Sequence, residues 1–214
     1  MAKRSRNRGM QPGRNAAVSG VLGLAGIAMV AAGVIDLRVH GGNGAPWLAL
    51  GIFPALLGPI AFLFYLHYAG RVRAMRRGEG LVGRWTVSAD AFRRFREAEA
   101  RIPARSVIVN YYRPPGSIPE AGVEVLVSDS GVLIGEGYFP LPTSGTRRVE
   151  SVRHAEAVPD ALEFSLGLAG MARTSSATVQ STRTLYVLRV PVAEGADAAA
   201  NAVLRHYRSR LHAG

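Results

Sequence analysis

Two stretches decide how this chain folds: AAVSGVLGLAGIAMVAAGVI at residues 16–35 and WLALGIFPALLGPIAFLFYLHYA at residues 47–69. The first carries no charge, and the second has His67 as its only ionisable group besides tyrosine. A helix of that length spans roughly 30 Å, the thickness of a bilayer's hydrocarbon core. Trp47 at one end of the second run, with Tyr65 and Tyr68 at the other, suits the two headgroup regions. Residues 36–46 between the runs are rich in Gly, and their Asp36 and Arg38 cancel. So short a connection makes the two helices antiparallel neighbours, a transmembrane hairpin.

Working outward, the charges fall on the flanks. Lys3, Arg4, Arg6, Arg8 and Arg14 precede the first run; Arg71, Arg73, Arg76 and Arg77 follow the second. The formal net charge is +11, yet residues 85–214 hold 15 Arg against 13 acids and are close to neutral. That distribution excludes a generally basic nucleic-acid domain, so nucleic acid is not an expected partner. Lys and Arg beside membrane spans are retained inside, and these nine residues read as membrane-surface and topology determinants. The expectation is a bacterial inner (plasma) membrane with both termini cytoplasmic. A cleaved signal peptide is the alternative for the first run, which exceeds the usual ~7–15 apolar residues of such a leader. Either way, the arginines after residue 70 hold the remainder in the cytosol.

Small residues recur at helical spacing within both runs: Ser19, Gly23, Gly26 and Gly33 with Val30, then Gly51, Gly58 and Ala61 with Pro54 and Tyr65. Such spacing lets backbones approach closely in lipid. It serves packing within the hairpin or a homodimer seam, and the short connection favours the former. Pro54 and Pro59 are expected to kink the second helix. No acid or base lies deep in either run, so an ion or proton pathway has no residues to work with.

The chain thus divides into a basic tail (1–15), a helical hairpin (16–70), a basic juxtamembrane linker (71–80) and a β-rich domain (81–214). In the last, residues 81–87 read as a strand, and Ser88 caps a helix over 89–102 with Phe92, Phe95 and Ile102 on one face. On its other side Arg93–Glu97 and Glu97–Arg101 fall at ion-pair spacing. Further strands are expected at 106–112, 123–128, 131–139, 147–154, 161–168 and 183–192. The 161–168 strand alternates with Leu162, Phe164, Leu166 and Leu168 on one face. The polar segment 170–182 reads as a loop. From about Asp197 a final helix buries Ala200, Val203, Leu204, Tyr207 and Leu211, with Arg208 on the solvated side. The fold class is therefore an α+β membrane protein: a two-helix hairpin plus an antiparallel-sheet domain of about seven strands with a C-terminal helix.

On the segments SDSGVLIGEGYFPL (128–141) and LRVPVAEGADAA (188–199), together with the terminal helix, the chain resembles bacterial pleckstrin-homology-like two-span membrane proteins. The resemblance covers roughly the last half of the chain and implies a cytosolic interaction domain. The helix at 89–102 is an addition to that pattern. No functional residue carries over.

Candidate chemistry is sparse. With no Cys, thiolate metal sites and cysteine nucleophiles are excluded. With Lys3 the sole lysine, a Schiff base in the β-rich domain is excluded too. GEGLVG (78–83) matches the spacing of a dinucleotide-binding turn but lacks its strand-before-helix setting. The histidines at 40, 67, 154, 206 and 212 are scattered. Neither catalytic residues, nor a metal, nor a cofactor is expected, and the chain reads as a non-enzymatic membrane protein. Its expected partners are the lipid bilayer and either another protein or a second copy. The alternatives are an accessory subunit of a larger membrane complex and a membrane-tethered enzyme with a polar pocket in the sheet domain. Arg93, Arg94, Arg96, Arg147 and Arg148 would orient the domain on the membrane surface; Trp85, Phe92 and Phe95 read as core.

Overall fold

The computed structural model describes residues 9–42, 44–102, 110–156, 158, 160–174 and 177–212. Two compact units divide the chain, Gln11–Ala74 and the combination of Met1–Met10 with Met75–Gly214.

In the first unit, α1 (Pro12–Ile35) starts with Pro at its first position and runs into a π-helical turn at Asp36–His40. Gly41 then takes a left-handed φ of 61° and turns the chain. α2 spans Ala45–Arg76 with Pro54 and Pro59 inside it. Both helices are long and apolar enough to cross a membrane. Their pairing follows the small residues. A methyl at Gly23 would meet Pro59 at 3.1 Å and the Gly58 carbonyl carbon at 3.3 Å; one at Gly51 would meet the Gly26 carbonyl oxygen at 2.8 Å. At Gly58 and Gly26 it would run into the Gly23 and Ala55 backbones. At Gly33 it would meet the Gly44 carbonyl oxygen at 2.9 Å. The order of partners makes the pair antiparallel, and the packing lies within the hairpin. Gly58→Leu should therefore force α1 from α2, since a backbone cannot swing aside as a side chain does. We expect a clearly lowered melting midpoint of the detergent-solubilised protein, whereas Gly13→Ala, whose methyl meets nothing within 4 Å, leaves it unchanged.

In the second unit, β1 (Leu81–Val87) leads into α3 (Ala89–Arg101), whose first turn is capped by the Ser88 hydroxyl accepting from the Ala91 N–H at 3.3 Å. β2 (Val123–Ser128), β3 (Gly131–Ile134) and β4 (Gly137–Pro140) complete an antiparallel sheet of order β1-β2-β3-β4. β5 (Arg147–His154), β6 (Ala161–Thr174) and β7 (Ala177–Pro191) form a second sheet. α4 (Asp197–His212) packs on both β1 and β5, one strand from each sheet. Its approach to β1 needs Gly83, where a methyl would lie 2.8 Å from Val203 and 2.9 Å from Trp85.

One apolar cluster joins these pieces: Trp85, Val125, Val132 and Phe139 from the first sheet, Leu162, Phe164, Leu188 and Val190 from the second, and Phe92, Phe95, Val203 and Tyr207 from the helices. Two buried polar handles are satisfied across it. Trp85 Nε1 donates to the Pro191 carbonyl at 2.8 Å, and the Tyr207 hydroxyl to the Ser128 carbonyl at 2.7 Å. Burial pushes the Tyr207 phenol well above its ordinary range.

Five expectations change. α2 continues to Arg76, so Arg71, Arg73 and Arg76 belong to a helix rather than a linker. The run 131–139 is two strands, because Gly135, at φ 58°, turns the chain between β3 and β4. The segment 170–182 is not a loop: β6 and β7 pair through Thr174↔Ala177. Ladder bonds need only backbone, and Thr and Val accept an extended conformation, so polarity alone did not mark a loop there. Leu168 is 41% exposed, unlike Leu162, Phe164 and Leu166; it follows an irregularity in the β6–β7 register between Leu166 and Gly167. Arg93 pairs with Asp90 rather than Glu97. The strand expected at 106–112 falls largely outside the described residues; of it, Asn110 makes a single parallel bridge to Val187.

Candidate functional site

The alternation that buries Leu162, Phe164, Leu188 and Val190 places the residues between them on the opposite face of the second sheet. Arg153 of β5, Glu163 of β6 and Arg189 of β7 stand in register across the three strands there. Arg153 donates from Nε and Nη2 to Glu163 Oε1 at 3.1 and 2.9 Å. Arg189 donates from Nε to Glu163 Oε2 at 2.7 Å and from Nη1 to Glu99 Oε1, on α3, at 3.1 Å. The result is a chain of alternating charge running inward: the Arg153 side chain is 51% exposed, but Glu163, Arg189 and Glu99 only 6%, 8% and 3%. The Glu163 hydrogen bond and charge push the Arg153 guanidinium above its ordinary value.

Asn110 joins the same region. Its Oδ1 accepts from the Tyr112 N–H at 3.0 Å and the Arg189 N–H at 3.1 Å, while its buried Nδ2 has no partner among the described residues. The Tyr111 N–H donates to the Val187 carbonyl at 2.6 Å, and its ring stacks on Tyr186 with centroids 4.4 Å apart. Arg147 covers the Tyr186 ring at 4.8 Å and donates to its hydroxyl. A sheet edge, an inserted helix and a connecting segment are thus held together by charge and stacking. Each buried carboxylate is engaged by a guanidinium, so the cluster anchors α3 to the second sheet. Among the described residues, no group of three His, Asp or Glu side chains converges as metal ligands would.

Beside the cluster lies a recess lined by Arg94, Phe95 and Arg101 of α3 with Asp160, Pro191 and Val192. Asp160 holds a left-handed φ of 53°, the sole non-glycine among the described residues to do so. Arg94 and Arg101 are two helical turns apart on one face.

The residues singled out from sequence lie elsewhere. Arg14, Arg71 and Arg73 are exposed. Arg76 pairs with Glu136 at 2.9 Å and Arg77 with Glu79 at 2.6 Å, which lowers the Glu79 carboxyl through the Arg77 hydrogen bond first and its charge second. Lys3, Arg4, Arg6 and Arg8 lie outside the described residues. Gly23, Gly26, Gly33, Gly51 and Gly58 come together in the helix pair; Ser19 contributes its carbonyl oxygen, 3.1 Å from where a Gly58 methyl would sit, and Ala61 is half-buried.

Sequence reasoning missed Glu99, Glu163 and Arg189. A signal existed for Glu99: it falls seven residues after Phe92 and four after Phe95, squarely on the apolar stripe of α3. Comparison with known proteins adds nothing to the assignment: no family model matches the chain, and no curated protein or solved structure is significantly similar to it.

Proposed function

We propose that this is a non-enzymatic integral inner-membrane protein that presents a pleckstrin-homology-like interaction domain to a protein partner on the cytosolic face. One observation carries the membrane part of the reading. Among the described residues, every exposed large hydrophobic side chain except Leu168 lies between Val18 and Leu66. In water so large an apolar surface would be strongly unfavourable; in lipid it is the expected exterior of a helical pair. The arrangement of four and three strands bridged by a terminal helix supports the pleckstrin-homology-like assignment, with α3 as an insertion after β1. Arg14 beside the start of α1 and Arg71 and Arg73 near the end of α2, against a neutral connection at the far end, favour a cytoplasmic location for both flanks.

The accessory-subunit reading needs small-residue faces free for another protein's helices. Here those faces are engaged between α1 and α2, so a partner helix would meet large apolar side chains instead. The test is fractionation with a topology reporter. The protein should stay with membranes through alkaline carbonate extraction, and an enzyme active only in the periplasm, fused after Gly214, should remain silent. Release into the supernatant rules out the integral assignment, and reporter activity reverses the orientation. Crosslinking in intact membranes would then identify the partner.

A further inference from the structure

β4 is the terminal strand of its sheet, and its outer edge is occupied. Met10 and Tyr138 form an antiparallel bridge: the Met10 N–H donates to the Tyr138 carbonyl at 2.9 Å, and the Tyr138 N–H to the Met10 carbonyl at 2.8 Å. Since Tyr138 sits opposite Leu133 in register yet gives both its backbone groups to Met10, those groups point away from β3. The next residue of β4 facing outward is Pro140, which has no N–H to offer. The one residue of β4 able to both donate and accept across this edge is therefore already taken.

The segment is shaped for the place. Gly9 has φ 90°, a conformation that L side chains rarely adopt, and a methyl there would lie 2.8 Å from the Phe139 ring and 2.9 Å from the Gly137 carbonyl carbon. Tyr138 and Phe139 are themselves almost wholly buried. Both the backbone conformation and the closeness to the ring call for glycine.

We infer that the β4 edge is a strand-acceptor site whose occupant is this chain's own residues 9–10, just ahead of α1. That segment is then a working part of the β-unit, and two consequences follow. Cleavage within α1 as a leader would remove residues 9–10 and open the edge, so the assignment requires that α1 stay attached. A chain that leaves the β-unit at Met10 and re-enters it at Met75 must also cross a bilayer an even number of times. This second consequence rests on the membrane reading above; the strand pairing itself does not.

The test is hydrogen exchange on the full-length protein in detergent, read at the Tyr138 amide. In the unaltered protein that amide should be protected. Gly9→Val should speed its exchange by on the order of tenfold or more, with the β2 and β3 amides still protected; Gly13→Ala should change nothing. An unprotected Tyr138 amide, or protection that survives Gly9→Val, overturns the assignment. Should the valine variant unfold the unit as a whole, deletion of residues 2–10 decides instead, because it brings no side chain against Phe139. Faster exchange at Tyr138 alone supports the pairing, and unchanged exchange overturns it. Protection that fades on dilution, together with a dimer that the deletion converts to monomer, assigns the strand to a second copy and overturns pairing within one chain. None of these outcomes depends on the reporter fusion, so the pairing and the membrane orientation fail or stand separately.

Discussion

Arg189→Met should destabilise the β-unit by about 3–5 kcal/mol, the usual cost of removing one partner from a buried ion pair. Arg189 is the described partner of Glu99 and one of two for Glu163. Its loss leaves the Glu99 carboxylate, 3% exposed, as an unpaired buried charge, while Glu163 keeps Arg153. The effect should appear as a large drop in the urea midpoint of the detergent-solubilised protein, followed through Trp85 in a Trp47→Phe background. The companion variant combines Arg189→Met with Glu99→Leu and Glu163→Leu. Apolar replacement of a whole buried ionic cluster is often neutral or stabilising, so the triple variant should recover most of the loss. A single variant as stable as the parent would mean that the cluster does not hold α3 to the sheet.

Leu204→Asp is expected to cost on the order of 4 kcal/mol, from lost burial together with a charge brought against the apolar core. Leu204 is 5% exposed on the face of α4 that meets the core, one turn before Tyr207, whose ring stands edge-on to Phe164 at 5.1 Å. Because α4 touches one strand of each sheet, undocking it removes a tie that the two sheets share. The control is Arg205→Asp, at an exposed position, which should cost well under 1 kcal/mol. Arg205 is a cleaner control than Arg208, whose Nε donates to the Val152 carbonyl at 3.4 Å. Thermal melting of the three proteins side by side distinguishes them, and equal shifts would show that α4 is not docked on this face.

What was legible in the sequence had a short-range cause. β1 and β2 appear at the residues read from their apolar patterns, and Ser88 caps α3, because period and capping chemistry act within a few residues. Glycines of α1 and α2 stand where the two backbones approach, since a short connection leaves each helix an immediate neighbour. Arg14, Arg71 and Arg73, at the ends of those helices, are exposed as flanking charges are expected to be. The ion pairs Arg76–Glu136 and Arg153–Glu163 were not, because each joins residues that only folding brings together.

The sequence by itself determined that this chain has two helices fit for a bilayer and a separate unit of short strands closed by an amphipathic helix. Hydropathy and periodicity settle such matters locally. Only the tertiary structure decided that the charged face of β6 and β7 is buried too, with Glu163 4% and Arg189 6% exposed. Alternation of Leu162 with Glu163 and of Leu188 with Arg189 reads as one face in and one face out, yet both faces are covered. Glu99 of α3 reaches Arg189 from 90 residues away in sequence, and no local pattern records an ion pair assembled across that distance. The Met10–Tyr138 bridge was hidden for a related reason: hydrogen bonds between backbones carry no side-chain signature, and here the two partners are separated by the entire helical pair.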